Sequence, residues 1–182
     1  MMCDGASRDE VMFGVHAKVL RFGWALQVVG GDDDRADWIY TLGLSSGFAH
    51  PELVMVGGRV DDVAPTLNEL GALVRRGHQL DTGDVVEASR GWVTFDDVHP
   101  VHIDDGLVAI CDEYHEALGG PPQTQRVLQV VPLSGPLAEG EPVPMLLSDP
   151  MAELPRTGGP GPNRAARRAR ARAARRRHGP AR

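Results

Sequence analysis

The side chains best suited to chemistry lie in one stretch, WIYTLGLSSGFAHPELVMVGG, which covers residues 38–58. Its pattern predicts two strands joined by a short loop that carries His50. A histidine changes its charge near neutral pH, so His50 is a candidate general acid or base. Glu52 would orient its ring, and Thr41, near the end of the first strand, would donate a hydrogen bond. These residue types indicate a small enzyme as one hypothesis.

The same stretch also fits a purely structural interpretation. Pro51 would fix the backbone at the start of the second strand, His50 would hydrogen-bond the backbone, and Glu52 would be solvated. The two hypotheses differ in what surrounds the histidine. An enzyme requires His50 in a concave pocket where other polar groups converge on it. A binding module requires a backbone-bound His50 and an exposed apolar patch elsewhere.

Alternation along the first strand divides its side chains between two faces of a sheet. The face predicted to be core holds Trp38, Tyr40, Leu42 and Leu44. The other face is small and half polar, and it holds Ile39, Thr41 and Gly43. A glycine in place of a packing residue predicts either the floor of a site or a close approach by another backbone. The candidate binding residues are Tyr40, Gly43 and His50.

Histidine, cysteine and aspartate residues raise the question of a metal site. His99 and His102 are three apart, so on a strand they would point to opposite faces. Cys111 and His115 share one face of a predicted helix, but that face is its apolar stripe. After the acidic turn at residues 32–34, apolar side chains occupy the positions where a calcium-binding loop needs further ligands. We therefore predict no metal ion and no cofactor.

The elements that position these residues follow from periodicity and from glycine and proline signals. Helices are predicted at residues 9–22, 61–76 and 105–118. Strands are predicted at residues 24–30, 38–44, 52–58, 83–88, 91–96 and 124–133. The pattern leaves open whether the strand at 91–96 continues through VHPVHI. This order indicates an α+β domain with a mostly antiparallel sheet covered by two or three helices. The apolar ELVMVGG strand is expected inside the sheet, and Gln129 needs hydrogen-bond partners if it is buried.

The composition argues against several classes of protein. No apolar run approaches the roughly 20 residues of a membrane helix, and MMCDGASRDE does not have the pattern of a secretory signal. The two cysteines, Cys3 and Cys111, fit a reducing compartment, so we expect a cytoplasmic protein without a membrane partner. A phosphate-binding glycine loop is also missing, which argues against a doubly wound nucleotide-binding fold.

The net charge of −6 hides two opposite parts. Residues 156–182 contain ten arginines and no acid, so residues 1–155 carry 19 − 10 = 9 basic and all 25 acidic residues, a net of −16. Such asymmetry is typical of an acidic domain with a basic arm. The predicted parts are a disordered N-terminus (1–8), an α+β domain (9–133), a Pro/Gly-rich linker (134–163) and an Arg/Ala-rich tail (164–182).

The tail, PNRAARRARARAARRRHGPAR, is predicted to bind anions. Alanine favours helix, so residues 164–177 can become helical once their charge is neutralised. One face would then carry Arg164, Arg167, Arg168, Arg172, Arg175 and Arg176. Phosphate backbones match these guanidinium groups, and a tail without aromatic residues should bind nucleic acid without reading its sequence. A solubilising tail, or one folded back on the acidic domain, is the alternative.

Several segments resemble one bacterial family. GWALQVV, WIYTLGL, HPELVMVG, LNELGALVRRG, VTFDDV and QRVLQVV are similar to segments of the domain of unknown function 4262 family, between about residues 22 and 131. The pairing of YTLGL with HPEL across a short loop is the most specific part. The family typically has a tryptophan-proline-aspartate turn after its last strand, where this chain has Val131, Pro132 and Leu133. The resemblance implies no reaction, cofactor or substrate.

A second resemblance concerns GHQLDTGD, residues 77–84, which is similar to a turn of the suppressor-of-fused-like superfamily. The resemblance implies an α+β binding module, and the superfamily also includes bacterial toxin-immunity proteins. Our leading hypothesis is therefore a cytoplasmic binding module, immunity-like or regulatory, with a protein partner and a basic arm for nucleic acid or acidic surfaces. The alternative is a small enzyme with a site around Thr41, Gly43, His50 and Glu52.

Overall fold

The computed structural model of the chain describes residues 8–30, 37–118, 126–133 and 146–152. The predicted basic tail, most of the predicted linker, residues 1–7 and the acidic turn at residues 32–34 lie outside this described part. The predictions made for those segments stay predictions.

Five helices and six strands make up the described residues. The helices are α1 (Arg8–Phe22), α2 (Leu44–Phe48), α3 (Val60–Arg75), α4 (Pro100–Asp104) and α5 (Ala109–Ala117). The strands are β1 (Ala25–Val29), β2 (Trp38–Leu42), β3 (Glu52–Val56), β4 (Val85–Ala88), β5 (Gly91–Asp97) and β6 (Val127–Leu133).

One sheet contains these six strands in the order β1-β2-β3-β6-β5-β4. Among them, β3 and β6 run parallel, and the other four neighbouring pairs are antiparallel. The predicted α+β class with a mostly antiparallel sheet is confirmed. The strand from ELVMVGG, β3, lies inside the sheet as predicted, between β2 and β6.

Helices on the two faces of the sheet enclose two apolar cores. The first core packs α3 against the sheet around Leu67 and Phe95. The second packs α1 and α5 against the sheet around Val15, Tyr40 and Cys111. The two cores use alternate residues of the same strands, which is why the central strands are apolar on both sides.

Trp24 ties the start of β1 to α3. Its indole Nε1–H donates to Asn68 Oδ1 over 3.0 Å. Gly71, one turn further along α3, leaves the space that the ring occupies, since a Cβ there would lie 2.6 Å from the Trp24 Cε2 atom. Two segments that carry the family resemblance, GWALQVV and LNELGALVRRG, are therefore packed together.

Both faces of β2 are core. All five of its residues are buried, Ile39 in the core under α3 and Tyr40 in the core under α1 and α5. Of the two interpretations left open for the face of Ile39 and Thr41, close packing agrees with this burial and the floor of an open site does not. The physical reason is that α3 covers this face, and Thr41 itself is fully buried.

Two short helices differ from the elements expected there. The loop after β2 contains α2, whose N-cap is Gly43. VHPVHI does not extend β5 as a strand, because Pro100 begins α4. Proline suits the first helical position, where its missing N–H leaves no bond unmade, and His99 caps the helix by accepting the Val101 N–H with its Nδ1 atom over 3.3 Å.

Residues 146–152 pack on the domain, although they fall within the segment predicted to be a linker. Leu147 is fully buried, and its N–H donates to Gln129 Oε1 over 2.6 Å. His102 Nε2 lies 2.8 Å from the Asp149 carbonyl oxygen. The buried Gln129 thus has the hydrogen-bond partner that its place in an apolar strand requires.

Candidate functional site

A buried carboxylate lies where β2 ends and β3 begins. Glu52 has no exposed surface, and its two oxygens accept four hydrogen bonds. The Thr41 hydroxyl donates to Oε2 over 2.7 Å. The Gly43 and Ser45 N–H groups donate to Oε1 over 2.9 and 3.0 Å, and the Ser45 hydroxyl donates to the same oxygen over 2.9 Å. These donors offset the cost of burying the charge.

Glu52 acts as the cap of helix α2. The first N–H groups of a helix have no partners within the helix, and the N-cap residue, Gly43, has no side chain to accept them. Glu52 lies on the neighbouring strand β3, and its carboxylate accepts these hydrogen bonds in place of an N-cap side chain. The pairing of YTLGL with HPEL is therefore explained by a structural contact between the two segments.

Gly43 is required by its backbone and by its neighbours. Its φ of +117° is a conformation that side chains disfavour. A Cβ at this position would lie 3.0 Å from the Gly23 carbonyl oxygen and 3.0 Å from Val19 Cγ1. Of the two roles suggested by the sequence, close approach by another backbone is the one that this geometry supports.

His50 is bound by backbone at both ring nitrogens. Nδ1 lies 2.7 Å from the Pro51 carbonyl oxygen, and Nε2 accepts the Leu80 N–H over 3.0 Å. An amide N–H only donates, so Nε2 carries no proton and Nδ1–H donates to Pro51; this tautomer is assigned from the hydrogen bonds. His50 as a whole is 1% exposed. It has no free nitrogen with which to exchange a proton with a substrate.

The bond between His50 and Leu80 joins HPEL to the GHQLDTGD turn. Leu80 is buried in the core under α3. The turn that follows it is closed by Asp84, whose Oδ2 accepts the Asp81 N–H over 2.8 Å. The two sequence features that carry the two resemblances therefore meet in space, at a single hydrogen bond.

A charged cluster closes the other side of this turn. Arg126 contacts both carboxylate oxygens of Asp97, with its Nε and Nη2 at 2.7 and 2.9 Å, and Nη2 also contacts Asp81. Hydrogen bonds from Arg126 lower the pKa values of Asp81 and Asp97. All three side chains are about half exposed or more, so solvent screens these pairs.

The structure brings together only part of the predicted site. Thr41, Gly43 and Glu52 share hydrogen bonds, but none of the described hydrogen bonds joins Glu52 to His50. Glu52 therefore does not orient the imidazole as the enzyme hypothesis requires. The structural interpretation was wrong on one point, because it expected Glu52 to be solvated. Tyr40 points into the core under α1 and α5, where burial raises the pKa of its hydroxyl.

The residues considered as metal ligands have separate structural roles. The described part of the chain contains no group of three or more histidine, cysteine, aspartate or glutamate residues placed to hold a metal ion. Cys111 Sγ–H donates to the Thr41 carbonyl oxygen over 3.8 Å, and burial raises the pKa of this thiol. His115 is buried and packs edge-on against Tyr114.

A comparison with protein-family models identifies the family of this chain. A family model described as a domain of unknown function, DUF4262, matches residues 18–132, more than half of the chain. The chain belongs to the DUF4262 family. No curated protein and no solved structure matches it. Within the described residues, no helix of this DUF4262 chain is long and apolar enough to cross a membrane.

Two contributors to this region were not among the predicted site residues. Ser45 follows the N-cap glycine of α2, and its N–H and hydroxyl both reach Glu52. A signal for Ser45 existed, because serine favours helix caps and turns, but the five-residue helix itself was not recognised. Leu80 acts through its backbone N–H, a group that every residue except proline carries, so its side chain gave no signal for this role.

Proposed function

We propose that this DUF4262 chain is a cytoplasmic binding module whose folded domain carries a basic arm that binds nucleic acid and other polyanions. The observation that carries the proposal is the environment of His50. Its two ring nitrogens are taken by Pro51 and Leu80, which is the arrangement expected of a binding module. A general acid or base needs a nitrogen within reach of a substrate proton.

The other candidate catalytic groups support the same conclusion. The Thr41 hydroxyl donates to Glu52 and accepts the Leu53 N–H over 2.8 Å. Both oxygens of Glu52 are bound by donors of the fold. Binding substrate here would require breaking the contacts that hold α2 against the sheet. The geometry therefore favours the binding module over the small enzyme.

An exposed apolar patch, the second feature expected of a binding module, lies on another part of the sheet. Val85, Trp92 and Leu133 are 54%, 51% and 43% exposed. Exposed large apolar side chains that lie side by side are typical of interaction surfaces. The patch supports an interaction with a polypeptide, in line with the immunity-like or regulatory role that the turn resemblance implies.

The arm lies outside the described residues, so its role is argued from its composition. Residues 156–182 contain ten arginines, no acid and no aromatic side chain. Arginine binds phosphate oxygens in bidentate fashion, and neutralising phosphates releases counterions from nucleic acid. Without aromatic residues to stack on bases, the arm would bind through charge alone.

A salt titration of nucleic-acid binding tests this proposal. The full chain is compared with a full-length variant in which Arg164, Arg167, Arg168, Arg172, Arg175 and Arg176 are replaced by glutamine. If about six phosphates are engaged, the logarithm of affinity should fall with the logarithm of salt concentration at a slope of about −4 to −5. Unrelated DNA sequences should bind equally well.

The variant should lose most of this binding and most of the slope, because the domain itself is acidic and repels phosphate. Circular dichroism of both proteins controls for folding. Equal binding by the two proteins, or no binding by either at low salt, would contradict the proposed role of the arm.

A further inference from the structure

One half of the sheet has a face that the described helices leave open. Val93 and Phe95 of β5 point into the core under α3, so Trp92, Thr94 and Asp96 point to the other face. Cross-strand pairing places Glu87 beside Trp92 and places Leu133 on its other side. Directly opposed residues of antiparallel strands share a face. This surface, the Trp92 face, is defined by Val85, Glu87, Trp92, Thr94, Asp96 and Leu133.

The chemistry of the Trp92 face suits guanidinium groups. Trp92 presents about half of its surface to solvent, and an indole ring attracts cations placed over it. Glu87 and Asp96 add two carboxylates, and no residue of the face is basic. Arginine can stack on an aromatic ring while it pairs with a neighbouring carboxylate. The face therefore complements an arginine-rich segment.

The last described segment before the arginine-rich arm is attached to the same sheet. Residues 146–152 are held on the sheet by the bond from Leu147 N–H to Gln129 Oε1, and Gln129 is the cross-strand partner of Asp96. Gln129 lies four residues, or about 13 Å, from Leu133 along β6. Residues 153–163 can span at most about 40 Å. Asp149 lies beside His102 of α4, so the chain leaves from that end of β5, and this contour length exceeds the distance back along β6 to Leu133.

We infer that the Trp92 face is a docking surface for the arginine-rich segment 164–177 of the same chain. Docking within one molecule needs little affinity, since the linker sets a high effective concentration. While it is docked on the Trp92 face, the arm cannot bind a polyanion unless that polyanion competes with the face for the arginine side chains. The inference rests on the proposed function for what the arm binds, whereas the docking itself can be measured without nucleic acid.

Fluorine NMR of protein labelled with 5-fluorotryptophan tests the docking. The chain has three tryptophans, of which Trp24 and Trp38 are buried, and Trp92→Phe identifies the third resonance. In the native full chain, added salt should shift the Trp92 resonance and leave the other two in place, because salt screens the contact. In the six-arginine glutamine variant, the Trp92 resonance should start at the high-salt position and stay there.

Two further measurements distinguish docking within one chain from other causes of the shift. Glu87→Gln with Asp96→Asn should reduce the salt-dependent shift at Trp92, whereas Glu116→Gln, at an exposed position of α5, should leave it unchanged. Dilution should not change the shift; a shift that fades on dilution would assign the face to a second copy and overturn the inference. An identical Trp92 resonance in native chain and glutamine variant at low salt would also overturn it.

Short duplex DNA added to the native chain links this inference to the proposed function. If both hold, DNA should move the Trp92 resonance to its high-salt position. If the arm docks but binds no DNA, the salt response persists and DNA has no effect, which contradicts only the proposed function. If DNA binds and Trp92 never responds to salt or to the arm, only the docking inference fails.

Discussion

The Thr41 hydroxyl donates a 2.7 Å hydrogen bond to the Glu52 carboxylate, and both residues are completely buried. The same hydroxyl accepts the Leu53 N–H. It therefore links the end of β2 to the start of β3 by one hydrogen bond that it donates and one that it accepts. Three more bonds tie the carboxylate to Gly43 and Ser45. The polar residues that the sequence suggested for catalysis therefore form a hydrogen-bond network that connects two strands and a short helix.

Removing the Glu52 carboxylate should destabilise the domain strongly. Glu52→Ala leaves the Gly43 and Ser45 N–H groups buried without partners, and we expect it to lower the free energy of unfolding by about 2–5 kcal/mol. Glu52→Gln keeps one oxygen for the capping bonds and should cost less than half as much. Chemical denaturation measures both. Equal stability of the alanine and glutamine variants would contradict the capping role.

Gly43 should not tolerate a side chain. Gly43→Val would place carbon atoms against the Gly23 carbonyl and the Val19 side chain at a φ that valine disfavours, and we expect a loss of at least about 2 kcal/mol. Gly47→Ala in the same helix is the matched control, because a Cβ there would meet its nearest neighbour at an ordinary 3.7 Å. Thermal unfolding of the valine variant at the wild-type temperature would refute the close approach.

Gly71→Ala tests the packing of Trp24 on α3. Alanine favours helix by about 1 kcal/mol over glycine, but its Cβ would lie 2.6 Å from the indole, so overpacking of about 1–3 kcal/mol should outweigh that gain. Gly14→Ala in α1, where a Cβ meets nothing within 4 Å, should show the gain alone. The two variants should therefore change stability in opposite directions. A stabilised Gly71→Ala variant would mean that Trp24 does not lie on α3.

The ion pairs of Arg126 with Asp81 and Asp97 should give stability a specific dependence on pH. The pKa values of Asp81 and Asp97 lie below the ordinary 3.8 because Arg126 hydrogen-bonds both. Their contribution is therefore present above about pH 4 and is lost as pH falls through the lowered values. Arg126→Gln should reduce stability slightly at neutral pH, and the difference from the native chain should shrink below pH 3.8.

A second background checks that the carboxylates cause this effect. When Asp97→Asn is already present, adding Arg126→Gln should produce a smaller difference, with less dependence on pH, in denaturation experiments. A difference that keeps its size down to the lowest accessible pH in both backgrounds would show that Arg126 stabilises the turn by packing rather than by charge.

The sequence predicted the elements well where periodicity was long and punctuated by glycine. The stripe of α3 and the apolar run of β3 required a helix on a sheet and a central strand, and both were found. Helices α2 and α4 are five residues each, too short for a periodic pattern to register. The crossover that places β6 beside β3 is set by long-range pairing, which local patterns do not encode.

The candidate site was predictable in its residues but not in its bonds. Spacing brought Thr41, Gly43 and Glu52 to attention, and these residues do meet. The pattern could not show that α3 covers Thr41, or that Glu52 caps α2 rather than facing solvent. Nor could it show that the partner of His50 is a backbone N–H thirty residues away at Leu80, because every amide looks alike in a sequence.

The protonation pattern of the His50 ring tests the central claim most directly. Nitrogen-15 NMR of the imidazole at neutral pH, with the resonances assigned by His50→Gln, distinguishes protonated from unprotonated ring nitrogens. A ring held between Pro51 and Leu80 should show a single neutral tautomer, with Nδ1 protonated and Nε2 bare. An Nε2–H tautomer, or averaged signals from a ring that exchanges freely with solvent, would contradict the structural role of His50 and restore it as a candidate acid or base.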